Sequence, residues 1–269
     1  MLKPIWLSAA MWLTLNAAGT VAAQGSAQAP AAAPAAMRAA SRAATAKLPD
    51  WSGAWALDDA SFAATRASSG STAPNDPNVP KMTPQAAAYR LANGAANGGQ
   101  GPPGGVPNNA AKCMPDGMPG IMTAPLQFEF LFTPGRVTII ASNSEVRRIY
   151  TDGRPHPADP DFSFEGNSIG HWEGDTLVVD TVAILPKSEM FMGFPGPVNT
   201  ERTHVVERMF RQSASKFVID TVITNPDVLA EPFRYRRSYD YVKDMEEALC
   251  AENNRDFNGV IDLTPPTPK

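Results

Sequence analysis

The stretch "SIGHWEGDTLVVDTVAI", residues Ser168–Ile184, decides how this chain is read. Two apolar-polar runs flank Glu173-Gly174-Asp175, a triplet suited to a tight turn because glycine tolerates positive φ and aspartate accepts from local amides. The stretch is therefore a β-hairpin. Side chains two apart in a strand share a face, so His171 and Glu173 point one way and Trp172 the other. In the second strand Asp180 shares a face with Val178, Val182 and Ile184. A lone ionised carboxylate buried there would be very costly. Asp180 must either face water or find a partner.

The same rhythm extends outward from this hairpin. "LQFEFLF" alternates, "PG" at 134–135 turns the chain into "RVTIIAS", and "EVRRIYT" follows with a turn at Asp152-Gly153. Downstream, "RTHVVERMF", "FVIDTVIT" and "FRYRRSYDYV" continue it, while "DWSGAWAL", Asp50–Leu57, supplies an opening strand. Short turns between alternating runs predict an all-β antiparallel meander. With this many strands, closure into a barrel or a strongly curved sheet removes exposed edges. One helix is legible before the strands: in "TPQAAAYRLANG", Thr83 is an N-cap, Pro84 takes the first helical position and Gly94 is a stop. A short helix or turn in "DMEEALCAENNRDF" brings Cys250 back.

The N-terminus reads as a secretory signal peptide over residues 1–23: Lys3, then an apolar stretch, then Val21-Ala22-Ala23. Its apolar core is shorter than the roughly 20 residues that span a bilayer. Residues 24–49, rich in Ala, Pro and Ser without an aromatic, form a disordered linker. Residues 50–269 make one domain. The expected location is periplasmic or secreted, with no membrane-spanning segment. The chain has 23 Lys and Arg against 27 Asp and Glu. Without a clustered basic surface, nucleic acid is not an expected partner. Cys113 and Cys250 either pair, as export permits, or stay as two buried thiols.

Candidate chemistry is sparse. His171, Asp180, His204 and Arg208 are the residues that can carry acid/base work, histidine being able to exchange a proton near neutral pH. His204 and Arg208 share one strand face, so a cavity there would hold them together. Asp180 and Asp220 have Arg148, Arg208, Arg236 and Arg237 as possible partners. His156, between prolines in "RPHP", reads as structural or exposed. The three histidines lie in separate segments with no metal-binding spacing, and no cofactor fingerprint is present. Phe130, Tyr150, Trp172, Tyr235 and Tyr239 are candidate ligand-lining residues of a barrel interior. The connection 186–201, with Met190, Phe191 and Met192, is a candidate lid or protein contact.

"RRIYTDGRPHP", "NSIGHWEGDTLVVDT", "THVVERMFR" and "CAENNR", in that order, resemble a family of exported bacterial β-rich proteins. The resemblance covers roughly residues 80–256 and implies a shared fold but no particular activity. This chain departs from the family where a His-Ser pair often follows "GFP", having Gly196-Pro197 instead. "WSGAW" also resembles the opening strand of lipocalins. Three functions follow as expectations. The first is a lipocalin-like binder of an apolar or aromatic small molecule. The second is a lyase, isomerase or hydrolase acting in the barrel cavity. The third is an envelope protein that binds a partner through residues 186–201.

Overall fold

The computed structural model describes residues 43–70, 76–93, 114–191 and 198–248. The signal peptide, residues 24–42 of the linker, both cysteines and residues 192–197 of the 186–201 connection lie outside the described residues.

Nine strands close into a barrel in sequence order: β1 Ala54–Leu57, β2 Gln127–Thr133, β3 Arg136–Ala141, β4 Val146–Tyr150, β5 Asn167–Glu173, β6 Thr176–Val182, β7 His204–Ser213, β8 Lys216–Thr224 and β9 Phe233–Val242. The short turns fall where the alternation breaks. Thr133 pairs with Arg136 across Pro134-Gly135, and Gly135 adopts φ +72. Proline followed by a positive-φ glycine is the chemistry of a type II turn. Glu173 pairs with Thr176, so the opening hairpin turns on Gly174-Asp175.

One expectation fails. β4 and β5 are parallel, and only Ile149↔Ser168 and Tyr150↔Ile169 are in register. Asp152-Gly153 does not close a hairpin. The connection 151–166 instead brings the chain round so that β5 begins beside the last residues of β4 and runs in the same direction, and parallel neighbours need a crossover of about a dozen residues or more. Every other neighbouring pair is antiparallel, including β1 with β9, which closes the wall.

β1 is short and pairs only with Tyr239–Val242 of β9. Helix α1, Asp59–Gly70, covers the seam beyond it. Asp58 caps this helix by accepting the Ser61 N–H at 2.7 Å. Ser61 Oγ accepts the Ser238 N–H at 2.8 Å, and the Asp58 N–H donates to the Ser238 carbonyl at 3.0 Å. The exposed edge of β9 is thus satisfied by a helix start. Helix α2 spans Pro84–Asn93 as the sequence predicts, and Thr83 Oγ1 accepts the Ala86 N–H at 3.3 Å.

The barrel is filled. At the end with the tight turns, Trp51 stacks against Phe130, Phe217 and Trp172 at centroid distances of 4.8, 4.8 and 5.2 Å. Such contacts add about 0.5–1.5 kcal/mol each beyond area burial. At the end with the long loops, Met118, Ile121, Met122, Met190 and Phe191 are buried, and the Tyr239 hydroxyl donates to the Met122 carbonyl. Met190 and Phe191 therefore belong to the core, not to an exposed lid. Residues 243–248 are irregular.

Candidate functional site on the outer wall

Strand alternation sorts the candidate residues. In β6, Leu177, Val179 and Thr181 are buried while Val178, Asp180 and Val182 are half-exposed. In β7, Val205, Glu207 and Met209 take the inner face, leaving His204 and Arg208 outside. His171 lies on the outer face of β5. The expectation that these residues meet inside a cavity is corrected: all four stand on the outer wall, because the inner positions are already held by core side chains.

They form two clusters there. Glu173 accepts from Arg208 Nη2 at 2.9 Å and lies 3.2 Å from His171 Nε2. Arg208, then His171, hold its carboxyl below the usual carboxylate range. Further along the wall, Asp180 is shared between two imidazoles. His156 Nε2 is 2.9 Å from one carboxylate oxygen and His204 Nε2 is 2.9 Å from the other. Register explains the meeting: Asp180 pairs with Val206 on one side and Ile169 on the other, so His204 and Asn167 lie two residues along on the same face. His156 arrives on the connection 151–166, and its Nδ1 is 2.7 Å from Asn167 Oδ1. The side chains are 21 % exposed for His156 and 41 % for Asp180 and His204. Asp220 takes a different partner, a two-pronged contact from Arg236 at 2.6 and 2.7 Å.

His156 joins this site without a periodic signal, since it lies outside any strand. Adjacent Glu207 and Arg208 require one inward charge, which the structure shows to be Glu207, but the sequence reading did not supply its partner Arg147. Arg147 and Glu207 form a fully buried ion pair, with one contact at 3.2 Å. Thr181 Oγ1 and Ser168 Oγ accept from the same guanidinium at 3.1 and 3.4 Å. The adjacent Arg147-Arg148 was the available signal: in a regular strand one of the two must point inward.

Four of the five proposed ligand-lining residues, Phe130, Trp172, Tyr235 and Tyr239, pack in or against the core. Burial pushes the Tyr235 and Tyr239 hydroxyls upward, so both stay neutral. Tyr150 faces outward, and the Arg154 guanidinium lies 4.1 Å above its ring.

Tyr150 lines a groove of about 540 Å³. β4 supplies Val146, Arg148 and Tyr150, and the connection 151–166 supplies Pro157, Asp159, Pro160, Asp161 and Glu165. Asn167, the partner of His156, also lines it. A second cavity of about 590 Å³ lies beside Lys81, Glu231 and Arg234. There Lys81 and Glu231 already pair with each other at 2.9 Å.

Behind the groove the Met118 N–H donates to the Phe164 carbonyl at 2.7 Å. Glu145 accepts the Asp116 N–H, the Gly117 N–H and an Asn143 amide N–H at 2.7, 3.1 and 2.6 Å. Burial, with Glu145 and Glu189 nearby, pushes the Asp116 carboxyl up to about 7. Among the described residues, no group of three or more His, Cys, Asp or Glu is arranged to hold a metal ion. None of the helices described is long and apolar enough to cross a membrane. Comparison with family models, with curated proteins and with solved structures returns no match for this chain.

Proposed function

We propose that this is an exported small-molecule-binding protein on a lipocalin-like barrel, and that its ligand sits in the outer groove between β4 and β5. One observation carries the reading. The interior space that a lipocalin would give its ligand is occupied by packed rings, whereas the two-residue contact between β4 and β5 leaves a lined cavity outside. The groove is polar with one aromatic wall, so the expected ligand carries charge or hydroxyls as well as carbon surface.

The test is a fragment screen on the purified protein, read by amide resonances. Fragments are expected to shift residues 148–167 and to weaken about tenfold on Tyr150→Ala. Phe130→Ala is expected to lower stability and leave the affinity of the folded protein unchanged. Fragments that instead shift resonances of inward-facing residues would return the site to the barrel interior.

A second reading, acid/base catalysis, rests on Asp180 standing between two imidazoles. Asp180 fixes His204 through Nε2, and among the described residues nothing is bonded to the half-exposed Nδ1. A carboxylate that orients an imidazole and leaves the other nitrogen open is the arrangement of a general base. A turnover found by substrate screening should fall about a hundredfold or more in His204→Ala. Turnover unchanged by that substitution removes this reading.

A further inference from the structure

The groove is unevenly charged. Asp159, Asp161 and Glu165 line it against the single cation Arg148. The two aspartates are exposed and solvated, but Glu165 is half-buried. Burial pushes its carboxyl up, Glu145 adds to the effect, and the local amide, Arg147 and Arg148 offset it only in part. Among the described residues no Lys or Arg lies within ion-pair distance of Glu165. Arg147, the nearer interior cation, is committed to Glu207. A partly buried carboxylate without a paired cation is costly, and a cation brought by a ligand would relieve it.

Two neighbouring features point the same way. Glu145 stands behind Glu165, close enough to push its carboxyl further up, and the Met118-to-Phe164 hydrogen bond ties this part of the chain to the residue before Glu165. At the rim, Tyr150 already carries a guanidinium. Arg154 lies over its ring at 4.1 Å while Asp152 holds the same group at 2.6 to 3.0 Å. A carboxylate beside an aromatic face is a seat for organic cations.

We propose that the groove binds a small organic cation, an amine or guanidine, seated on the Glu165 carboxylate with its carbon skeleton against Tyr150 and Pro157. This rests on the groove being the ligand site. Arg148, at the other side, opposes the cation.

Three probes of similar length separate the possibilities: 1,4-diaminobutane, 1,4-butanediol and succinate, titrated calorimetrically into the purified protein with amide resonances followed in parallel. The diamine should bind at least about tenfold tighter than the diol and shift Tyr150 and Glu165. Glu165→Gln should erase about tenfold of that preference, and Arg148→Gln should increase diamine affinity. Glu165→Gln removes charge at nearly constant shape, Arg148→Gln removes it with a shorter side chain, and circular dichroism checks the fold. If the diol or succinate binds as well as the diamine in the groove, the charge assignment is overturned while the groove reading stands. If the diamine binds Glu165→Gln unchanged, Glu165 is not its seat. If none of the three shifts a groove resonance at millimolar concentration, the cation proposal fails; if the fragment screen is also silent there, the groove reading fails with it.

Discussion

The inner and outer faces of the barrel wall each carry an arginine–carboxylate pair, under opposite conditions. Inside, Arg147 and Glu207 are both fully buried. Outside, Arg236 and Asp220 meet at 2.6 Å but are 60 % and 34 % exposed. Water outside screens the pair and solvates either partner left alone. Inside, neither partner has that refuge, so the pair matters mainly through what happens when half of it is removed. Inside, the Arg147 guanidinium is held by Glu207, by Ser168 and by Thr181.

The largest expected effect follows directly. Glu207→Ala should cost about 3–5 kcal/mol in urea unfolding, whereas the double replacement Arg147→Met with Glu207→Leu should recover most of it. A single replacement costing under about 1 kcal/mol would remove the contrast between the two faces.

Next is Asp116. Its folded carboxyl titrates near 7, above the ordinary value of 3.8. Between those limits the folded state holds the proton more tightly than the unfolded chain. The contribution to stability is present below about pH 4, is lost as pH rises, and is gone above about 7. The span is of the order of 4 kcal/mol. Asp116→Asn should flatten stability against pH over this window, and an unchanged profile would locate the titrating group elsewhere.

Smaller is the His156 contact, which fastens the connection 151–166 to Asp180 and Asn167 at a partly exposed site. His156→Ala should cost about 1 kcal/mol and raise hydrogen exchange through 157–165 more than elsewhere. Smallest is Asp220→Ala, at about 0–1 kcal/mol. A loss as large as that from Glu207 would mean the outer wall is not exposed in solution.

The strands were legible because a wall with one buried face enforces alternation, which is clean in the burial of β6 and holds through Val205–Met209 of β7. Which parity faces inward was not. In β6 both sets are apolar enough, Leu177-Val179-Thr181 against Val178-Asp180-Val182, and only the neighbouring strands decide. Helix α1 escaped notice because "DASFAATRASSG" lacks an apolar stripe; Asp58 as N-cap and Asp59 in the first turn were its signals. The parallel β4–β5 contact was hidden because Asp152-Gly153 has the letters of a turn. That contact creates the groove and delivers His156 to Asp180, so the least legible part of the fold is also where the candidate site lies.

The claim that matters most is that the interior is core and the ligand chemistry is outside. It is tested by titrating the native protein with an environment-sensitive apolar dye such as 1-anilinonaphthalene-8-sulfonate while following tryptophan emission. With Trp51 and Trp55 sealed in the wall and Trp172 packed on Trp51, no saturable dye uptake and no energy transfer are expected. Stoichiometric binding that quenches these tryptophans, and that is abolished by blocking the barrel interior with Val179→Phe, would contradict it.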